Sequence, residues 1–127
     1  MAVDSFKAII DKLRVTGVPA GDRLPANFDK APLPRIQVQP LAPGQRVPAL
    51  NTLGMDKVTY DVDVYVSPSM YNSGQAWALA RKLRAHLVTL RTPEGVRALS
   101  VGVPEKRPAF NDSIYRLGFT LEVALPA

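Results

Sequence analysis

Cysteine is absent from the 127 residues. The chain therefore has no disulfide and no thiolate metal site, which fits a reducing compartment or indifference to redox. Histidine occurs once, at His86. No run of about 18 apolar residues occurs, so no membrane-spanning helix is expected. The opening "MAVDSFKAII" carries an acid at Asp4 and no long apolar stretch, so it does not read as a secretory signal. Three reaction signatures are missing: the G-x-S-x-G nucleophile elbow, the G-x-x-x-x-G-K-[ST] phosphate loop and the H-E-x-x-H zinc helix. No internal repeat or low-complexity tract is evident. These absences argue against an enzyme, and no cofactor is expected.

What is present fits one domain over residues 1–127. Hydrophobic residues make up 46%, ordinary for a packed core. Net charge is +5 and uneven: residues 1–80 carry eight Lys/Arg against seven Asp/Glu, residues 81–127 eight against four. Such an excess is compatible with nucleic acid or an acidic partner, and equally with a solvated basic face.

Twelve prolines separate the periodic segments. Val3, Phe6, Ile9, Ile10 and Leu13 make one helical stripe that Gly17 and Pro19 end. A long connection covers 16–34, and "RIQVQ" is a short strand with Ile36 and Val38 inward. A second connection, about 40–57, is unusually apolar, with Leu41, Val47, Leu50, Leu53 and Met55. "VTYDVDVYV" follows, with Val58, Tyr60, Val62, Val64 and Val66 on one face and Thr59, Asp61, Asp63 and Tyr65 on the other. Pro68 closes it. Asn72, with Gln75 three residues on, suggests a helix start. That helix reaches about Leu90 with a stripe of Ala76, Leu79, Ala80, Leu83, Leu87 and Leu90. "ALSVGV" reads as a strand with Leu99, Val101 and Val103 inward, and "PEKRPAFNDS" as a basic connection. "YRLGFTLEVAL" closes the pattern; Tyr115, Leu117, Phe119, Leu121, Val123 and Leu125 share a face. Six such side chains are worth on the order of 10 kcal/mol when buried, which fixes the register.

The expected fold is α+β: a mostly antiparallel four-stranded sheet with two helices on one face, in the order α-β-β-α-β-β. Asp61 and Asp63 then point the same way on the face away from the helices, their Cα atoms about 6.6 Å apart. A metal site would need further ligands, and His86 lies on the helical side. A polar outer face or subunit contact is the favoured reading over metal binding or catalysis, with Arg35 and Arg116 as candidate counter-charges.

Two surfaces remain. Trp77 and Val88, flanked by Arg81 and Arg84, lie off the main helical stripe. Trp and Arg are enriched at interface hot spots; packing of Trp77 on the domain's own loops is the even alternative. Lys106, Arg107 and Arg116 could face phosphate, although no recognition helix or stacking signature accompanies them. The match of "NDS" to a glycosylation acceptor reads as accidental.

Several phrases together resemble the tail terminator proteins of long-tailed (siphovirus-type) bacteriophages. They are "LPRIQV", "MDKVTYDVDVYV", "AWALARKLRAHL", and "RPAFND" followed by "IYRLGFTLEVAL". The likeness covers nearly the whole chain. It departs at "QPLAPG", where relatives often have a glycine pair, and at the closing "LPA", where they finish near a charged residue. The resemblance implies a virion structural protein whose copies form a ring, commonly a hexamer, on the finished end of the tail tube. The ring stops tube polymerisation, receives head-side connector or completion proteins, and lets genomic DNA pass without sequence-specific binding. It implies a place at the head-proximal end of the tail, after assembly in the host cytoplasm. Trp77, Arg81, Arg84, Val88, Asp61 and Asp63 become candidate subunit contacts. Leu50, Leu53 and Met55 become candidate tube contacts, and Lys106, Arg107 and Arg116 candidate DNA-facing cations. The alternatives are a related neck or head–tail completion protein and, from another class, a small basic nucleic-acid-binding module.

Overall fold

The computed structural model describes residues 5–22, 33–41 and 55–126. Helix α1 (Ser5–Arg14) forms where the first apolar stripe lies, and Ile9 and Leu13 are wholly buried. It ends at Gly17, whose φ of 85° lies in the left-handed region that a Cβ disfavours. The two-residue strand β1 (Ala20–Gly21) follows and runs parallel to β2 (Arg35–Pro40), with Ala20 opposite Ile36.

The centre of the sheet is the antiparallel pair β3 (Met55–Val66) and β6 (Ile114–Pro126). Val62 lies opposite Phe119 and Val64 opposite Leu117. Tyr60, Val62, Val64 and Val66 join Leu117, Phe119, Leu121 and Val123 in one buried layer beneath the helices. The alternation in the sequence is therefore met in space: the two strands put their apolar faces on the same side. Tyr60 and Ser5 share a buried hydroxyl–hydroxyl bond of 2.6 Å, so the one polar tip in this layer is satisfied.

Helix α2 (Pro68–Asn72) and helix α3 (Gln75–Val88) follow β3. Ala76, Ala80, Leu83 and Leu87 of α3 are buried against the sheet, and Leu90 beyond its end is buried too. The far side of β6 is shared by two short strands. β4 (Arg97–Val101) pairs with its C-terminal half, and β5 (Glu105–Asn111) with its N-terminal half. Among the described residues the sheet thus has six strands, in the order β1-β2-β3-β6-β4 with β5 also on β6.

This corrects the expected four-stranded antiparallel sheet with two helices in the order α-β-β-α-β-β. Among the described residues the sheet is mixed and six-stranded, and three helices accompany it. Strand β1 is too short to show a period. Strand β5 was hidden by its proline: Pro108 sits where the pairing with β6 shifts, an edge position that needs no ladder donor. Pro68 closes β3 but also opens a helix at its first turn, where the missing N–H costs nothing. Ser67 caps that helix, accepting the Met70 N–H at 3.2 Å, and Asn72, expected to cap the long helix, ends this short one instead. The long helix starts at Gln75, with Gly74 as its N-cap and no side-chain cap.

The inward set expected on the third strand is also corrected. A bulge lies between Ala98 and Ser100, so alternation breaks at Leu99. Ala98 and Val101 pack on the core, while Leu99 and Val103 are 40% and 75% exposed.

Candidate functional site

The face of the sheet away from the helices is built from the odd-numbered residues of β3 and the even-numbered residues of β6. Asp63 lies opposite Gly118, and Asp61 opposite Thr120. Glu105 of β5 lies on the other side of Gly118, and Arg107 opposite Arg116. From that position the Arg107 side chain crosses β6 and reaches β3. Its Nη1 donates to Asp61 Oδ1 and, at 3.0 Å, to Asp63 Oδ1. Its Nε lies 3.6 Å from Glu105 Oε1. One guanidinium thus sits among three carboxylates.

Gly118 makes the crossing possible. A Cβ there would meet Arg107 Nε at 2.6 Å and its Cδ and Cζ at 2.7 Å. Any side chain at 118 would lift Arg107 off the sheet.

Asp63 is buried, with only 3% of its surface exposed. Burial, and next the Asp61 charge, push its carboxyl above the usual value; Arg116 and Arg107 oppose the rise. Arg107 loses hydration too, but its bonds to Asp61 and Asp63 outweigh that loss and tighten its hold on its proton. Arg116 stands 3.7 Å from the second Asp63 oxygen. Tyr65, on the same face, donates to Gln37 Oε1 at 3.0 Å and packs against Ile114 and Leu33. Its hydroxyl pKa is raised, chiefly by burial. Phe110 meets the Tyr65 ring edge-on at 6.4 Å and is itself half exposed. Farther along, Lys57 and Ser100 both hold Glu122, each at 3.2 Å.

The two aspartates do share a face, as their spacing requires. Arg107, which was not among the expected counter-charges, bonds both; Arg116, which was, faces Asp63. Arg35 Nε is buried and has no hydrogen-bond partner among the described residues. The signal for Arg107 was the "EKR…NDS" stretch itself: Glu105 and Arg107 alternate with Lys106, and "NDS" is a hairpin turn. There Asn111 Oδ1 accepts the Ser113 N–H at 2.8 Å. Among the described residues no three His, Cys, Asp or Glu side chains gather in a metal-binding group. Chemically, the arrangement is a charge-satisfied clamp that pins the β5–β6 hairpin to β3.

The helical candidates divide. Trp77 is half-buried, packs on the core and lies 6.2 Å from the Tyr71 ring. Arg84 donates to Gly102 O at 3.0 Å and Val101 O at 3.2 Å, tying α3 to the end of β4. Arg81 is exposed, and Val88 is 52% exposed beside Arg97 and Ala98. Lys106 lies with its Nζ 5.6 Å from the centre of the Tyr71 ring. Met55 begins β3 and is half-buried opposite Pro126. Leu50 and Leu53 lie outside the described residues. Among the described residues no helix is long and apolar enough to cross a membrane.

No family model matches the chain, and no curated protein matches it. Several solved structures do match. One, whose name carries no functional meaning, is 18% identical, with a TM-score of 0.53, and the match covers 95% of this chain and 89% of the other. At that identity the likeness concerns the fold alone.

Proposed function

We propose that this chain is a virion structural protein, a tail terminator whose copies close into a ring on the end of a phage tail tube. The observation that carries the reading is the outer edge of the sheet. There, among the described residues, β5 pairs with β6 only, whereas the outer side of β4 is partly taken by a bridge between Arg91 and Arg97, the bond from Ala98 N–H to Leu90 O, and Arg84. Leu99, Val103 and Phe110, all at least 40% exposed, stand along that edge, and Val88 adjoins it beside Ala98. An unpaired edge with apolar side chains is a template for another chain unless something covers it. A neighbouring copy covers it in a ring, through a head-to-tail contact that closes on itself. Val88, Arg81 and the exposed part of Trp77 extend the same contact. Tube protein and head-side proteins take the two ring faces.

The state of the cations favours assembly over a nucleic-acid module. Arg107 and Arg116 answer Asp63 within the chain, so they present little free charge to phosphate. A related neck or completion protein would share the same fold and edge; addition to tail tubes separates it, since only a terminator halts their growth.

The test pairs oligomeric mass with a double substitution, Leu99→Glu and Val103→Glu. Wild-type chain should run at a mass several times its own, with six copies expected. The double variant should keep its circular dichroism and run as a monomer, because neither side chain is in the core. An equal assembly state in both proteins removes the edge from the interface.

A further inference from the structure

A shallow groove of about 550 Å³ lies where β5 leaves its ladder, bounded by Tyr71, Tyr115, Lys106, Pro108, Arg107 and Arg116. Its walls are aromatic: Tyr71 and Tyr115 meet edge-to-face at 5.3 Å. All its charged lining residues are cations. Arg107 is neutralised by Asp61, Asp63 and Glu105, and Arg116 in part by Asp63. Lys106 differs. Its ammonium rests over the Tyr71 ring, 5.6 Å from the centre, and no carboxylate pairs with it among the described residues. Arg116 Nε is likewise buried without a hydrogen-bond acceptor among them. The floor of the groove is an edge strand that pairs on one side only among the described residues.

We propose that this groove binds an extended acidic segment of a partner protein. The segment lies along β5, a carboxylate on Lys106 and its apolar groups between the tyrosines. Charge complementarity selects the acid, and the open strand edge selects an extended backbone. A polynucleotide fits less well. Beside the tyrosines, one ammonium is the only cation here without a carboxylate partner, whereas phosphate-backbone binding draws on several such cations at once. The inference does not depend on ring formation, but a ring neighbour on the β5 edge would compete with the segment, so binding is measured on the Leu99→Glu, Val103→Glu chain, expected to be monomeric, as well as on the wild type.

The probe is an acetylated eight-residue peptide of alternating Glu and Thr, with alternating Lys and Thr and an oligo-dT of the same length as comparisons. Two readouts are used: fluorescence of Trp77, the only tryptophan, which lies 6.2 Å from Tyr71, and amide chemical shifts. The acidic peptide should shift the amides of Glu105–Asn111, Tyr71 and Tyr115, and should weaken as salt rises. Lys106→Glu should reduce its affinity by at least about tenfold. Lys82→Glu, on the exposed side of α3 and outside the groove, should leave it unchanged. The proposal is overturned if the acidic peptide does not bind, if it binds with shifts elsewhere, if Lys106→Glu has no effect, or if oligo-dT binds as tightly. A chain that binds the peptide but never oligomerises would leave this proposal standing and remove the ring.

Discussion

Gly118→Ala tests the clamp on the polar face. In a strand, alanine is ordinarily better than glycine by about 0.5–1 kcal/mol, because glycine loses more backbone freedom on folding. Here the new Cβ would stand 2.6–2.7 Å from three atoms of Arg107, closer than real contacts allow. The guanidinium is held by two aspartates, so it cannot swing aside and keep both bonds. Breaking a buried ion pair by removing one partner costs about 3–5 kcal/mol. The Arg107 and Asp61 side chains are 14% and 19% exposed, and Arg116 remains near Asp63, so a figure of about 2–3 kcal/mol is appropriate. Subtracting the ordinary alanine gain leaves a net loss of roughly 1–2 kcal/mol, or a fall in Tm of roughly 3–10 °C for a domain of this size. Urea and thermal melts of Gly118→Ala, Arg107→Ala and the double variant form a cycle. With Arg107 already truncated, Gly118→Ala should become neutral or stabilising. An equal loss in both backgrounds would show that the glycine serves the backbone and not the arginine, and would refute the clamp.

Further expectations concern acidity, the helix tie and the core. The Asp63 carboxyl is raised above its ordinary 3.8, chiefly by burial. Its linkage contribution is therefore fully present below 3.8 and is lost as pH rises through the folded-state value. Urea midpoints should show wild type losing stability relative to Asp63→Asn over that rise; the opposite trend would mean that the arginines outweigh burial. Arg84→Ala removes two charge-assisted bonds to Val101 and Gly102 and should cost about 2 kcal/mol. Hydrogen exchange should quicken at β4 with β3 little changed. Phe119→Ala, at a site 1% exposed, should cost about 3–5 kcal/mol in a denaturant melt.

The parts of this structure that were legible in the sequence are those where one apolar face decides everything. The β3 and β6 faces follow from strict alternation, and the burial of Ile9, Leu13, Leu83 and Leu87 follows from helical spacing. The rest turned on features that alternation does not encode. The bulge at Leu99 moves an apparently inward leucine to the surface. Pro68 carries two opposite meanings, the end of a strand and the start of a helix. Strand β5 is mostly exposed because it lies at an edge, and its apolar residues, Ala109 and Phe110, are adjacent and not alternating, so it had no apolar period to show. Missing β5 meant missing the clamp: Asp61 and Asp63 were visible as neighbours, but Arg107 reaches them across an intervening strand. Gly118 gave no warning in sequence, since its role is the space it leaves.

Scattering mass measured over a range of concentrations, with the chain alone and with purified tail tubes added, bears most directly on the idea that these copies cover one another's sheet edges. Closed rings, forming alone or on tube ends and halting tube growth, are the expected outcome. A chain that stays single at every concentration, while tubes lengthen in its presence as they do without it, would contradict the account.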